Sequence, residues 1–112
     1  MNNAGEKKLT NVAIIGGGRG GTSLIEIFYN DPLVRIVGIS DVDKNAPGVR
    51  LAKRLKIPVT PDYKKLLQSK KVDLVIDVTG NKEVEETLQS ARRPGLAIIG
   101  GPSAKFMWQL IE

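Results

Sequence analysis

Five glycines fall within six residues of this chain, Gly16-Gly17-Gly18-Arg19-Gly20-Gly21, and the residues on either side decide what that run can be. Before it stands an apolar run, Val12-Ala13-Ile14-Ile15. After it, Leu24, Ile25, Ile27 and Phe28 recur at helical spacing. The segment therefore predicts strand, glycine turn and helix over residues 11–30. Gly16, Gly18 and Gly21 fit G-x-G-x-x-G. In that pattern the first glycine allows a tight turn, the second lets backbone approach a pyrophosphate, and the third lets the helix pack close to the strand. The amides of Arg19 and Gly20 fall at the predicted helix start, where unpaired N–H groups and the helix dipole favour an anion.

A second apolar run, residues 33–39, ends at Ser40-Asp41, and Asp41 lies 20 residues after Gly21. An acid at about that distance is suited to the adenosine ribose hydroxyls of a dinucleotide. It also repels a 2′-phosphate, so the expected cofactor is NAD(H) rather than NADP, although Lys44 lies near in sequence. A glycine turn that serves only the fold, or that holds another adenine nucleotide such as coenzyme A, is the alternative. Asp41 argues mildly against coenzyme A, whose 3′-phosphate it would repel.

The rest of the chain alternates strand and helix. Asp31-Pro32 stops the first helix, because the residue before proline is pushed out of the α region. A second helix is expected over residues 47–55, with Val49, Ala52 and Leu55 inward. A short edge strand containing Pro58 follows over 57–60. Asp62 is placed to cap a helix over 63–69 that brings Leu66 and Leu67 inward. The run 72–78 reads as a strand covered on both faces, with Asp73 and Asp77 expected at its ends or bonded to backbone. Asn81 is expected to cap a helix over 82–91. A fifth strand over 96–99 leads through Gly100-Gly101-Pro102 to a last helix over 102–112. Such alternation predicts a single α/β domain over residues 1–112, after a polar tail at 1–9. It is Rossmann-like, a doubly wound parallel sheet of about five strands in the order 3-2-1-4-5. The crevice at its switch point then lies between the turns Gly16–Gly21 and Thr79–Asn81.

Composition narrows the chemistry. The 112 residues include no cysteine and no histidine, which excludes disulfides, thiol chemistry and a Ser-His-Asp triad, and makes a metal site unexpected. The net charge of +5 is spread over helix-like segments and reads as a solvated surface. Aromatics make up only 4% of the chain, too few to stack single-stranded nucleic acid, so no nucleic-acid partner is expected. No run approaches the ~20 apolar residues of a membrane span, and residues 1–8 lack a signal-like apolar sequel. The expected location is the cytoplasm, with no membrane partner.

The blocks GGGRGG, GISDVDKNAPGVRLAKRLKIPV, YKKLL and VDLVIDVTGN resemble the N-terminal NAD(P)-binding domain of the glucose–fructose oxidoreductase/inositol dehydrogenase family. The resemblance covers residues 11–103. It implies that Asp41 takes the adenosine ribose and that Thr79, Gly80 and Asn81 flank the nicotinamide ribose. With Val42 beside Asp41 and Gly101 after the fifth strand, the candidate cofactor residues are Gly16, Gly18, Arg19, Gly20, Gly21, Asp41, Val42, Thr79, Gly80, Asn81 and Gly101. Family enzymes carry Glu-Lys-Pro after the fifth strand, with a catalytic lysine. This chain reads Gly100-Gly101-Pro102, so no catalytic residue is assigned. Lys105 lies three residues past the proline and does not inherit the role. Family enzymes also have a second, larger substrate domain, and the chain is expected to lack one.

The chain also resembles a Rossmann-type module at the N-terminus of bacterial signalling proteins such as sensor kinases, where a similar glycine-rich sequence leads into a long helix. In PSAKFMWQLIE, Ala104, Met107, Trp108 and Ile111 form one apolar stripe, and Phe106 and Leu110 a second. One stripe covers the sheet. The other asks for a second subunit or a further domain. The expected function is an NAD(H)-binding sensory or regulatory module without a complete catalytic site. The alternative is the cofactor half of an NAD(P)-dependent oxidoreductase.

Overall fold

The computed structural model describes residues 8–111. Most of the polar tail read over residues 1–9 thus lies outside the described residues. Five strands alternate with five helices: β1 Thr10–Ile15, α1 Arg19–Phe28, β2 Val34–Ser40, α2 Pro47–Arg54, β3 Val59–Thr60, α3 Tyr63–Gln68, β4 Leu74–Asp77, α4 Lys82–Ser90, β5 Ala97–Ile99 and α5 Gly101–Ile111. The sheet order is β3-β2-β1-β4-β5, and every pairing is parallel. This is the expected Rossmann-like doubly wound sheet.

The central strand shows why the sequence builds this fold. Val12, Ala13, Ile14 and Ile15 are all buried, without the alternation of a half-exposed strand, because helices cover both faces. Val12 and Ile14 pack with Leu24 and Ile25 of α1, Ala52 of α2 and Ala104 of α5. Ala13 and Ile15 face the other way, onto Leu67 of α3 and Leu88 of α4. Fully burying one such aliphatic side chain contributes about 1.5–3 kcal/mol. The two layers therefore meet at β1, and both are needed to keep it dry.

Local signals set the element ends. Asp62 Oδ1 accepts the Lys64 amide at 3.0 Å and Asn81 Oδ1 accepts the Val84 amide at 3.0 Å, so α3 and α4 begin at their expected caps. Asp73 Oδ2 accepts the Asn11 amide at 2.9 Å, tying the start of β4 to the start of β1. Most boundaries move by a residue or two from the sequence reading, β4 among them at Leu74–Asp77 rather than 72–78, and two of the moves have a clear backbone cause. β3 keeps only Val59 and Thr60 as strand residues, because Pro58 has no N–H for the ladder and offers only its carbonyl, to the Ile39 amide at 3.0 Å. α5 starts at Gly101, before Pro102, since proline is tolerated in a first helical turn. Among the described residues no helix is long and apolar enough to cross a membrane.

Candidate functional site

The turns after β1 and β4 meet at the centre of the sheet's C-terminal edge. Gly16 adopts φ +112°, a left-handed backbone that a side chain would strain. A Cβ there would also lie 3.2 Å from Val78 and Thr79 backbone atoms, so the two turns are in contact. The Gly16 amide donates to the Ser40 carbonyl at 2.7 Å, and the Val78 amide donates to the Ile15 carbonyl at 2.9 Å. At Gly21 any Cβ would collide with the Gly16 carbonyl oxygen, which is the close helix–strand approach expected of the third glycine. Gly18 differs from both. Nothing lies within 4 Å of where its Cβ would be, so its backbone opens onto free space. α1 begins at Arg19, and the amides of its first turn have no acceptor within the helix.

Asp41 stands at the end of β2, half-buried. Its Oδ2 accepts the Gly17 amide at 2.7 Å and its Oδ1 accepts the Asp43 amide at 2.9 Å. The carboxylate is thus fixed against the glycine turn, with remaining lone pairs available to a ligand hydroxyl. Val42, next to it, is 88% exposed. Gly16, Gly18, Asp41, Val42, Thr79 and Asn81 line one cleft of about 450 Å³. Sequence reasoning missed a further support, Gly48, whose amide donates to the Gly17 carbonyl at 2.6 Å. The Pro47-Gly48 pair at the start of α2 was a readable signal for a helix start, but its target across space was not.

Beyond β4 the turn is held by side chains. The Thr79 amide and hydroxyl both donate to Asp77 Oδ1, at 2.9 and 2.6 Å, and the Asn81 amide donates to Thr79 Oγ1 at 3.0 Å. Asp77 is 2% exposed. These side chains are committed to shaping the turn, and Gly80, at φ +66°, presents open backbone between them. A second cleft, of about 660 Å³, begins here and is lined by Gly80, Asn81, Gly101, Pro102, Lys105 and Trp108, among others. Gly101 enters α5 at φ +60°, with the Glu85 carboxylate seated where a side chain would project.

Of the candidate residues, Arg19, Gly20 and Gly21 line neither cleft. The exposed Arg19 guanidinium lies 6.0 Å from the centroid of the Trp108 ring. Nothing in the local sequence pattern pointed to the indole. Gly20 is buried against that same ring. Lys105, Lys82 and Trp108 enter the second cleft although no motif marked them. No group of three or more acidic side chains among the described residues is placed to hold a metal ion.

A family model described as "Oxidoreductase family, NAD-binding Rossmann fold", GFO_IDH_MocA, matches residues 10–100. The chain belongs to the GFO_IDH_MocA oxidoreductase family. Its cofactor is NAD. The residues fit that group: the open backbone at Gly18, the first-turn amides of α1 and the fixed Asp41 carboxylate lie where a pyrophosphate and a ribose are held in such folds. Solved structures agree on the fold. GenD2 from gentamicin A biosynthesis, in complex with NAD, superposes with a TM-score of 0.69 at 24% identity, over 88% of this chain and 28% of that one. Myo-inositol dehydrogenase from Lactobacillus casei, in complex with NAD(H) and myo-inositol, gives 0.70 at 21%, over 93% and 33%. Homoserine dehydrogenase from S. aureus gives 0.71 at 19%, over 95% and 30%. The chain spans about a third or less of the length of these proteins. No curated protein matches it in sequence. The matches speak for the oxidoreductase resemblance and give no support to the sensor-kinase one.

Proposed function

We propose that this GFO_IDH_MocA domain is an NAD(H)-binding sensory or regulatory module without a complete catalytic site of its own. In this reading the Gly16–Gly21 turn and the start of α1 hold the pyrophosphate through backbone amides. Asp41 takes the adenosine ribose hydroxyls, and Val42 offers an apolar surface to the adenine. Thr79, Gly80 and Asn81 flank the nicotinamide ribose, with Gly101 at the far side. When bound, NAD supplies a ring that accepts or donates hydride. Around that ring the chain presents glycine at 100 and 101, where the family resemblance puts a catalytic lysine.

The observation that carries the regulatory reading is the position of α5. It begins at Gly101 in the second cleft and lays Trp108 on Gly20, in the first turn of α1. One helix thus touches both the pyrophosphate end and the nicotinamide end. Its outer side chains Phe106 and Leu110 are 64% and 69% exposed, which supports a second subunit or a further domain as the receiver.

Calorimetric titration with NAD⁺, NADH, NADP⁺ and coenzyme A tests the ligand, with Asp41→Ala run alongside. NAD(H) binding weakened about ten- to a hundredfold by the substitution is expected, from roughly 1.5–3 kcal/mol for hydrogen bonds to a charged group. Tighter binding of coenzyme A would replace the reading. A regulator must also separate its two ligand states, so equal affinity for NAD⁺ and NADH would remove redox sensing.

The second reading is the cofactor half of an NAD(P)-dependent oxidoreductase. Its support is the family itself and the presence of Lys105 and Lys82 in the nicotinamide-end cleft. Steady NADH formation by the chain with polyol substrates would favour this reading over the regulatory one.

A further inference from the structure

Trp108 is the one tryptophan of the chain, and it stands at a junction. A Cβ built on Gly20 would lie 2.9–3.0 Å from three atoms of its pyrrole ring, Nε1, Cδ1 and Cε2. Three near-equal distances mean that the ring lies face-on over Gly20. Trp108 as a whole is half-buried, and it lines the cleft that Gly80, Asn81 and Gly101 also line. In a doubly wound sheet the two halves of a dinucleotide lie on opposite sides of the switch point. Asp41 marks the β2 side for adenosine, which leaves the β4 side, and this cleft, for the nicotinamide.

We propose that Trp108 is the wall against which the nicotinamide ring packs, and the residue that tells oxidised from reduced NAD. This rests on the NAD(H)-binding reading above. The oxidised ring is a pyridinium, flat, cationic and electron-poor. The reduced ring is neutral. Among aromatic side chains the indole is the strongest partner for a cation. Among the cleft's lining residues Lys82 and Lys105 stand against Asp77 and Glu85, two of each sign, while the Arg19 guanidinium over the indole adds a positive charge that the aromatic contact must outweigh. The indole is the large aromatic surface of that cleft, and the oxidised form gains more from it. Because the same ring rests on Gly20, with the Arg19 guanidinium 6.0 Å from its centroid, the contact also reaches the start of α1.

The single tryptophan makes the test direct. Wild-type emission is followed during titration with NAD⁺, NADH and ADP-ribose, which lacks the nicotinamide, with calorimetry in parallel. NAD⁺ is expected to quench Trp108 and ADP-ribose to leave it nearly unchanged. Trp108→Leu is expected to raise the NAD⁺ dissociation constant roughly three- to tenfold, that for NADH by less, and that for ADP-ribose least, through the lost packing on Gly20 alone. Trp108→Phe retains an aromatic face and is expected to fall between wild type and the leucine variant. If ADP-ribose is weakened as much as NAD⁺, or if NAD⁺ binds without changing wild-type emission, the proposal is overturned while NAD binding stands. If Trp108→Leu does not fold, the wild-type emission and the phenylalanine variant decide. Absence of calorimetric binding by all three ligands to wild type would overturn the NAD(H) reading itself, and this inference with it.

Discussion

The two halves of the site are built from different materials. On the side proposed for adenosine, the turn is held mostly by backbone. Gly16 N–H goes to the Ser40 carbonyl, Gly48 N–H to the Gly17 carbonyl, and Gly17 N–H to the Asp41 carboxylate. Asp41 is the one side chain in that set, and its oxygens are pinned by amides. On the side proposed for nicotinamide the turn is shaped by Asp77, Thr79 and Asn81, and its walls include Lys105, Trp108 and Pro102. Backbone geometry follows from the fold and offers little to vary without losing the sheet. Side chains are free to vary without disturbing the strand order. The half around the glycine turn is therefore generic, and whatever is particular to this chain lies in the half that ends in α5.

That contrast can be broken in order of severity. Gly21→Val drives a side chain into the Gly16 carbonyl, beneath the binding surface. A loss of about 3 kcal/mol or more is expected by chemical denaturation, with binding lost along with the fold. An unchanged midpoint would show that α1 can retreat from β1. Asp77→Ala, on the other side, removes the acceptor of both Thr79 donors. It should cost about 2 kcal/mol of stability. If the halves are independent, ADP-ribose affinity should hold while NAD⁺ affinity falls. Asn81→Ala removes the cap of α4 and should cost about 1 kcal/mol, read from the same denaturation curve. An equal loss of ADP-ribose binding in either of these two variants would mean that the halves are not separate.

The generic half was also the legible one. The places of Gly16, Gly21 and Asp41 follow from spacing alone, because a parallel α/β sheet fixes where a turn after β1 and an acid after β2 must meet. The caps Asp62 and Asn81 were readable for the same reason, since capping acts within one helical turn. Trp108 was readable only as part of an apolar stripe. Its partner Gly20 lies 88 residues earlier, and nothing in local periodicity joins them. Gly48 was hidden in the same way. Lys105 was seen but set aside, because its distance from Pro102 in sequence does not tell where the helix points it. Strand ends erred where backbone accounting overrides hydrophobicity, as at Pro58.

β1 holds one more consequence, for synthesis rather than for binding. It is the middle strand of the sheet, yet it is made before the other four, and its partner on one side, β4, begins at Leu74, 64 residues after β1 begins. Until that stretch leaves the ribosome, one edge of Val12-Ala13-Ile14-Ile15 has no strand beside it, and α4, which follows β4, is not yet there to cover its share of one face. A nascent chain in that state offers an apolar edge to any neighbouring copy. Completion of the fold waits on the arrival of β4, so a ribosomal pause before Leu74 extends the time during which the chain is exposed to aggregation.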